Sequence, residues 1–321
     1  MNNRLYLNLI IALVVFGVPG LAFGWGAATH AYIAKELGHE PGVMNLQEMY
    51  GAVVPDMFNL MYGYQHQDFL WNKTHYEFMK VVDEGKLDES RAFGYGFASH
   101  NEEWGADHTA HINSVGIKSG EGYVVTKKKI LSPQLKLGMT LFLNSKGIAY
   151  TPELLEELSL TIADSAVESA VDLLVSQNED TQIGTRMLAA AKLRSPFVPM
   201  LISSAYAKDL AGETGIIAEE AILLIVETET QFKEYMELYG GMLTQQNVVD
   251  LMAEQGAQIA ERMLEERYGI IVEVPTELMK TGLLSAVDVV KNDYYEELAA
   301  TLDYVAGQLG SHGIESQLAA D

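Results

Sequence analysis

From Pro152 to near the C-terminus, apolar residues recur at helical spacing almost without interruption. A spacing of three and four residues places these side chains on one face of a helix, and strand-like alternation is sparse in the same region. The intervening residues are rich in alanine and glutamate, which favours helices with a solvated acidic face. The pattern predicts an all-α protein, with helices over 154–177, 183–210, 215–238, 245–268 and 276–309.

The helical spacing of apolar residues is less regular over residues 112–150. This stretch contains several glycines, three consecutive lysines at 127–129 and a β-prone tetrapeptide at 123–126. We therefore expect a long excursion between helices, with room for a β-hairpin. The preceding stretch, 25–111, offers helix-length segments separated by glycine and proline.

The N-terminus is typical of a secretory signal peptide. Arg4 precedes an apolar run over 5–18, and the small residues Ala22 and Gly24 suit cleavage before Trp25. The run is shorter than the roughly 20 residues of a spanning helix, which favours cleavage over an uncleaved membrane anchor. We therefore expect a signal peptide over 1–24 and a secreted or periplasmic protein, with one region over 25–175 and a helical C-terminal region over 176–321.

Charge and cysteine content restrict the partners and the sites that the chain can offer. Asp and Glu number 44 against 21 Lys and Arg, for a formal net charge of -23. An extended contact with the phosphates of duplex nucleic acid is therefore unfavourable. Because the chain has no cysteine, it can form neither a disulfide nor a thiolate site, and a metal ion would need His, Asp, Glu or backbone ligands.

Histidines are concentrated in the first third of the chain. Seven of the 8 histidines lie between residues 30 and 111. Histidine is the commonest side-chain metal ligand, and aspartate is its usual oxygen partner. A lone histidine is more often a hydrogen-bonded structural residue, but this cluster favours a metal site. The candidate ligands are His30, Asp56, His75, His100, Asp107 and His111.

Three of these candidates have a spacing that matters for geometry. His100, Asp107 and His111 would share one face of a continuous helix, since separations of seven and eleven residues are close to whole turns. However, seven residues place His100 roughly 10 Å along the axis from Asp107, which is too far for one ion. Binding by both residues therefore requires a distortion of the helix.

Gly105 lies between the two residues and can mark a break or bulge that brings them together. If the helix is continuous, Glu103 or Trp104 would face inward and form a different site.

Cleavage before Trp25 would create another candidate ligand. A free α-amino group binds cations once it is deprotonated, and the carbonyl oxygen of the same residue can bind them as well. Trp25 followed by His30 could form such a site. Considered alone, Trp25 would be assigned to packing at the edge of the domain.

Four short segments carry a resemblance to a known family. They are 25–30 (WGAATH), 51–56 (GAVVPD), 72–75 (NKTH) and 96–111, which begins GFASH. Their sequences and order resemble the zinc-dependent phospholipase C superfamily. This superfamily includes the amino-terminal domain of glycosylphosphatidylinositol-specific phospholipase D and, more distantly, single-strand-specific fungal nucleases. The resemblance covers roughly residues 25–170.

The resemblance implies a multi-helical domain of the phospholipase C and nuclease type that holds two or three zinc ions, followed here by additional C-terminal helices. Asp107 would bridge the first two ions, and Asp56 would also act as a general base. The implied ligands are Asp56, His75, His100 and Asp107 for one ion, His30 with the amino nitrogen and carbonyl oxygen of Trp25 for the second, and His111 with two further residues for the third.

The chain departs from the family pattern in two places. Six residues separate His100 from Asp107, where the family usually has three. The later histidine of the family has no counterpart, because no histidine lies between His111 and His312. The nearest substitute is the pair Asp164 and Glu168, at i and i+4, which could equally be part of an ordinary acidic helix face.

Two cations bridged by a carboxylate are suited to phosphodiester hydrolysis. We therefore expect a zinc-dependent phosphodiesterase of the phospholipase C type that acts on phospholipids or other phosphodiesters, with peripheral contact to a membrane surface. One alternative is a single-strand nuclease of the same superfamily. The other is a catalytically inert, metal-stabilised helical protein whose C-terminal half binds a partner, and the altered spacing before Asp107 favours it.

Overall fold

The computed structural model describes residues 24–38, 42–61 and 64–315. Within these ranges the chain forms helices and no strand, which confirms the all-α prediction. The α-helices are α1 (Ala27–Leu37), α2 (Val43–Val53), α3 (Gln67–Tyr76), α4 (Met79–Glu84), α5 (Asp88–His100), α6 (Tyr123–Ser145), α7 (Pro152–Leu174), α8 (Ile183–Leu193), α9 (Val198–Thr214), α10 (Ala218–Leu243), α11 (Val248–Tyr268), α12 (Thr276–Val290) and α13 (Tyr294–Ser311). A 3-10 helix spans Val54–Leu60, and π turns span His108–Ile112 and Val175–Glu179.

Two glycines allow a close crossing between α2 and α5. A Cβ atom on Gly51 would lie 2.1 Å from a backbone oxygen of α5, and one on Gly96 would lie 1.9 Å from a backbone oxygen of α2. Real Cβ atoms do not approach oxygens so closely, so both positions require glycine. The crossing brings the end of α5 against the end of α2, where His100 Nδ1 lies 2.8 Å from the backbone oxygen of Ala52.

The expected excursion over 112–150, with its room for a hairpin, is wrong for most of that stretch. Residues 123–145 form the long helix α6, and its β-prone beginning is helical. Five of the seven buried side chains on α6 are separated by multiples of four residues, namely Tyr123, Lys127, Leu131, Met139 and Leu143. Burial of this face against the core outweighs the local preference of the valines and threonine for strands.

The predicted helix over 183–210 is divided into α8 and α9. The break follows Leu193, and α9 begins at Val198 with Pro199 in its first turn. Proline disfavours the helical conformation in the residue before it and is well accommodated in a first turn, which explains the division. The predicted helix over 154–177 ends at Leu174 and is followed by a π turn.

The predicted helix over 276–309 is likewise two helices, α12 and α13, separated by a corner at residues 291–293. Asp293 in this corner accepts a hydrogen bond of 2.9 Å from the Tyr123 hydroxyl and lies 2.5 Å from Lys127 Nζ. These contacts come from α6, so the corner depends on a partner that is distant in sequence.

A large apolar core contains buried side chains from both sides of residue 175. Phe232 of α10, for example, lies 6.5 Å from the ring of Tyr50 on α2, centroid to centroid. A smaller cluster joins α6, α7 and α11. The C-terminal helices therefore pack directly on the helices that carry the histidines.

In the part of the chain that the structure describes, none of the helices has the length and apolar character needed to cross a bilayer. The predicted signal peptide, residues 1–24, lies outside the described residues except for Gly24.

Candidate metal centre

Five of the predicted ligands converge although they come from five separate places in the chain. They lie on α1, on the 3-10 helix, near the end of α3, at the end of α5 and just beyond the turn that follows α5. Each is at most 1% exposed. These residues are His30, Asp56, His75, His100 and Asp107, and they form two groups whose ligand atoms lie within 4.8 Å of one another.

Asp107 lies at the middle of this arrangement. Its Oδ1 atom is 3.0 Å from His30 Nε2, and its Oδ2 atom is 3.0 Å from His100 Nε2 and 3.4 Å from His75 Nε2. The two oxygens of one carboxylate therefore face different groups of histidines. This is the geometry that a bridging ligand requires.

Asp56 approaches the same histidines from the other side. Its Oδ1 atom lies 3.6 Å from His75 Nε2, and its Oδ2 atom lies 3.8 Å from His100 Nε2. Asn59 donates a hydrogen bond of 3.0 Å to Oδ1, which orients the carboxylate. Oδ2 is buried without a hydrogen bond.

The positions of the imidazole protons indicate whether these residues fit a metal ion. His75 Nδ1 and His100 Nδ1 each lie 2.8 Å from a backbone carbonyl oxygen, that of Trp71 and that of Ala52. Carbonyl oxygens only accept, so each Nδ1 carries the proton of the neutral ring and each Nε2 presents a lone pair. These two Nε2 atoms are 3.1 Å apart, and both face carboxylates.

With both rings neutral, as metal ligation requires, only hydrogen-bond acceptors meet at this point. His30 Nε2 and both carboxylate oxygens of Asp107 are also buried without a hydrogen bond, despite their short separations. Acceptors gathered in a buried space repel one another unless protons or a cation lie between them. The residues present fit a bound metal ion.

The electrostatics of the protein without an ion are consistent with this conclusion. Burial lowers the pKa of His75, but contacts with Asp107 and Asp56 outweigh it and raise the pKa to about 10. Burial opposes ionisation of Asp107, yet the neighbouring His100 and His30 hold its pKa well below the usual range. Without a metal, the carboxylates hold a proton on His75, whereas burial lowers the pKa of His30. A cation would replace the proton on His75.

The turn between α5 and the first π turn supplies the distortion that the spacing requires. Helix α5 ends at His100, and the side-chain oxygen of Asn101 accepts hydrogen bonds from the backbone of residues 103, 104 and 105 at 2.9, 2.9 and 3.2 Å. A Cβ atom on Gly105 would lie 2.5 Å from the Asn101 backbone nitrogen, so the turn needs glycine there. The break predicted at Gly105 is confirmed.

A third group contains Glu102, Asp107 and His111. Glu102 Oε1 lies 2.5 Å from His111 Nδ1, and His111 Nε2 is buried without a hydrogen bond. Burial lowers the pKa of His111, but the contact with Glu102 outweighs it and raises the pKa to about 9. A carboxylate on one ring nitrogen with the other nitrogen free is the arrangement of many metal-binding histidines.

Sequence reasoning missed Glu102 because its orientation depends on the Asn101 turn. Asparagine directly after a helix-terminal residue is a known turn signal, since its side chain caps backbone N–H groups. That signal could have placed Glu102 on the inner side of the turn. Glu103, the alternative for a continuous helix, is exposed.

Trp25 lies beside this centre. It is fully buried, its Nε1 donates a hydrogen bond of 3.1 Å to Thr109 Oγ1, and its ring stacks on that of Tyr123 at 5.2 Å. A Cβ atom on Gly24 would lie 1.6 Å from Asp107 Oδ1. The backbone around the predicted cleavage point is therefore in contact with the central carboxylate.

Asp172 on α7 anchors the helix that carries His30. Its carboxylate accepts hydrogen bonds from the backbone nitrogens of Ala28 and Thr29 at 3.0 and 2.8 Å, and from the hydroxyls of Thr29 and Tyr239 at 2.7 Å each. Two of these donors are free N–H groups in the first turn of α1. Sequence reasoning missed this residue because its partners on α1 are 143 and 144 residues distant and Tyr239 is 67 residues distant.

Asp164 and Glu168 are buried on α7, about two turns and one turn before Asp172, respectively. Lys128 Nζ lies 2.8 Å from Asp164 Oδ1, and the charge of Asp164 contributes to the raised pKa of His111. Neither residue belongs to the three groups described above.

Compared with protein-family models, with curated proteins and with solved structures, the chain shows no match.

Proposed function

We propose that this protein is a zinc-dependent phosphodiesterase that acts on phospholipid head groups. The observation that carries the proposal is the meeting of lone pairs around Asp107, with His75 Nε2 and His100 Nε2 only 3.1 Å apart. Imidazole and carboxylate ligands without thiolates suit zinc. The short distances on both sides of one carboxylate favour two neighbouring ions, which is an arrangement common in phosphodiester hydrolysis.

For the first two ions, the proposed ligands are divided by the oxygen of Asp107 that each histidine faces. Asp56, His75, His100 and Asp107 would hold one ion. His30 and the other oxygen of Asp107 would hold the second, together with the amino nitrogen and carbonyl oxygen of Trp25 once the chain begins there. A third ion would use His111 with Asp164 and Glu168, although Lys128 already supplies a positive charge to Asp164.

Bound zinc ions would lower the pKa of a water molecule and neutralise charge on the phosphoryl oxygens. Residues of the protein itself would position the ligands and accept the proton. Asp107 would supply one carboxylate oxygen to each ion, and the carbonyls of Ala52 and Trp71 hold two imidazoles in one tautomer. Asp56 Oδ2 is the proposed acceptor of the proton from the attacking water, because it is buried without a hydrogen bond.

Processing before Trp25 is the second part of the proposal. In the described chain Gly24 lies against Asp107, with space for no side chain. Removal of residues 1–24 would free the Trp25 amino group close to this carboxylate and clear one side of the centre. This is consistent with a secreted or periplasmic enzyme, which would contact the membrane only at its surface.

One observation favours an inert, metal-stabilised protein instead. The five central ligands are all buried, and structural metal sites are closed whereas catalytic ones keep an open position. If the protein is inert, its C-terminal half would serve to bind a partner.

The test uses protein that begins at Trp25, analysed for bound metal and assayed with phosphatidylcholine and single-stranded DNA. We expect at least two zinc ions per chain and release of a phosphorylated head group that stops with chelator and returns with zinc. Asp107→Asn preserves size but should lose both the metal and the activity. His66→Ala, which replaces a histidine outside the three groups, is the matched control and should retain both.

The results of this experiment distinguish the phospholipid phosphodiesterase, the nuclease and the inert protein. Cleavage of the DNA alone would identify the nuclease activity, and stoichiometric zinc without turnover would support the inert protein. Absence of bound metal from the parent protein, or full activity of Asp107→Asn, would contradict the metal centre itself.

A further inference from the structure

An apolar cavity of about 220 Å³ lies among α6, α7, α10, α11 and α12. Its lining surface is mostly apolar and includes five methionines, whose unbranched side chains adapt to the shape of a ligand. The methionines are Met139, Met242, Met252, Met263 and Met279.

The cavity is elongated along α7. Residues of this helix from Leu158 to Asp172 line it, and fourteen residues at 1.5 Å each correspond to about 21 Å. The volume of about 220 Å³ is below the roughly 300–1,000 Å³ of most ligand pockets, so the space is small. It therefore suits one extended hydrocarbon chain better than two chains or a fused ring system.

One end of the cavity adjoins the candidate metal centre. Gly26 lines the cavity. Gly24, only two residues earlier in the chain, lies against Asp107. Consecutive Cα atoms are about 3.8 Å apart, so the two places lie within about 8 Å of each other. Tyr235 also lines the cavity and lies within the electrostatic influence of Asp56.

The polarity of the lining changes along the same axis. The end next to the metal centre contains Glu168, Asp172 and the tyrosines 235 and 239, whereas the distant end is formed by the smaller apolar cluster that includes Leu158 and Met263. A ligand that matches this gradient has a polar head at the metal centre and an apolar tail inside the protein.

We infer that the cavity binds the hydrocarbon tail of a single-chain amphiphile, such as a lysophospholipid, whose phosphodiester head group lies at the metal centre. The position of the head group rests on the proposed function, whereas binding of the tail depends only on the cavity. Each methylene transferred from water into the cavity should tighten binding about fourfold until the cavity is full.

The test measures tail binding without metal. Chelator-treated protein that begins at Trp25 is titrated with cis-parinaric acid, a fluorophore that is itself one extended hydrocarbon chain, and the probe is then displaced with alkylphosphocholines of increasing chain length. We expect one probe per chain, displacement that strengthens about fourfold per methylene before a plateau, and weaker displacement by a two-chain phosphatidylcholine of equal carbon number.

A matched pair of glycine substitutions locates the binding site. Gly138→Leu projects into the cavity, and its Cβ would meet Leu278 at an ordinary 3.5 Å. Gly212→Leu is the control, because it makes the same replacement on α9 with no atom within 4 Å of the new Cβ. Both replacements favour helix formation, so both variants should fold. Gly138→Leu should weaken probe binding at least tenfold, and Gly212→Leu should leave it unchanged.

The inference is overturned if the parent protein shows no saturable binding, if Gly138→Leu binds like the parent, or if the two-chain lipid competes as well as the single-chain one. These results are independent of the proposed function. Tail binding without zinc-dependent turnover would contradict only the phosphodiesterase, and turnover without tail binding would contradict only the inference.

Discussion

Asp172 provides a quantitative test of how α1 is held in place. The carboxylate accepts four hydrogen bonds, two from backbone N–H groups of α1 and two from hydroxyls. In Asp172→Ala all four donors lose their partner. The hydroxyls can rotate towards other acceptors, but the two buried N–H groups cannot.

The expected magnitude follows from those two groups. A buried donor left without a partner costs about 1–3 kcal/mol, so Asp172→Ala should lower the free energy of unfolding by about 4 kcal/mol. Asp172→Asn retains one acceptor oxygen and should lower it by about 2 kcal/mol. Asp303→Asn, an exposed aspartate of α13, is the control and should change it by less than about 0.5 kcal/mol.

The measurement is urea denaturation of metal-free protein, so that bound metal does not add to stability. Metal content is then measured separately. Because His30 and Trp25 move with α1 whereas Asp56, His75 and His100 do not, Asp172→Asn should lose one ion and keep the other. If the free energy of unfolding of Asp172→Ala equals that of the parent protein, the anchoring role of Asp172 is refuted. If Asp172→Asn keeps both ions or loses both, the selective effect of Asp172 on one ion site is refuted.

Three further predictions concern buried contacts. Arg194→Leu removes the ion pair with the buried Glu229 (Nε to Oε1, 2.6 Å) and should cost about 3 kcal/mol at pH 7. Burial raises the pKa of Glu229, so the native state binds its proton more tightly than the unfolded state. The decrease in the free energy of unfolding caused by Arg194→Leu should therefore become smaller as the pH falls through the pKa of Glu229. A decrease that is constant with pH in denaturation experiments would contradict this prediction. Glu102→Gln should lower the pKa of His111 from about 9 in metal-free protein, as measured by NMR of the ring, and an unchanged value would contradict the contact. Gly96→Ala should force α2 and α5 apart, lower the midpoint of urea unfolding and reduce metal content, whereas parent-like behaviour would show that the crossing tolerates a Cβ.

The ligand types and their approximate positions were accessible from the sequence. A concentration of histidines without cysteine limits the chemistry to nitrogen and oxygen ligands. The structure brings His30, Asp56, His75, His100 and Asp107 within 3.0–3.8 Å of a neighbour in the set. The break near Gly105 was predictable because an ideal helix separates two of the ligands by about 10 Å. These conclusions depend on residue identity and local geometry alone.

Helix boundaries and supporting residues depended on contacts that are distant in sequence. The β-prone start of α6 became helical because Tyr123 packs against Trp25, and the corner before α13 is held by contacts of Asp293 with α6. Similarly, Asp172 gains its role from donors on α1. No local pattern predicts these pairs, since neither partner is near the other in the chain.

The sequence by itself determined that this chain is helical and that it can offer a metal only imidazoles, carboxylates and backbone atoms, because periodicity and side-chain chemistry are local properties. The tertiary structure alone decided that these ligands meet as unpaired acceptors, that Glu102 joins them and that an apolar cavity lies behind them. Orientation, burial and empty volume arise only when helices from distant parts of the chain pack together.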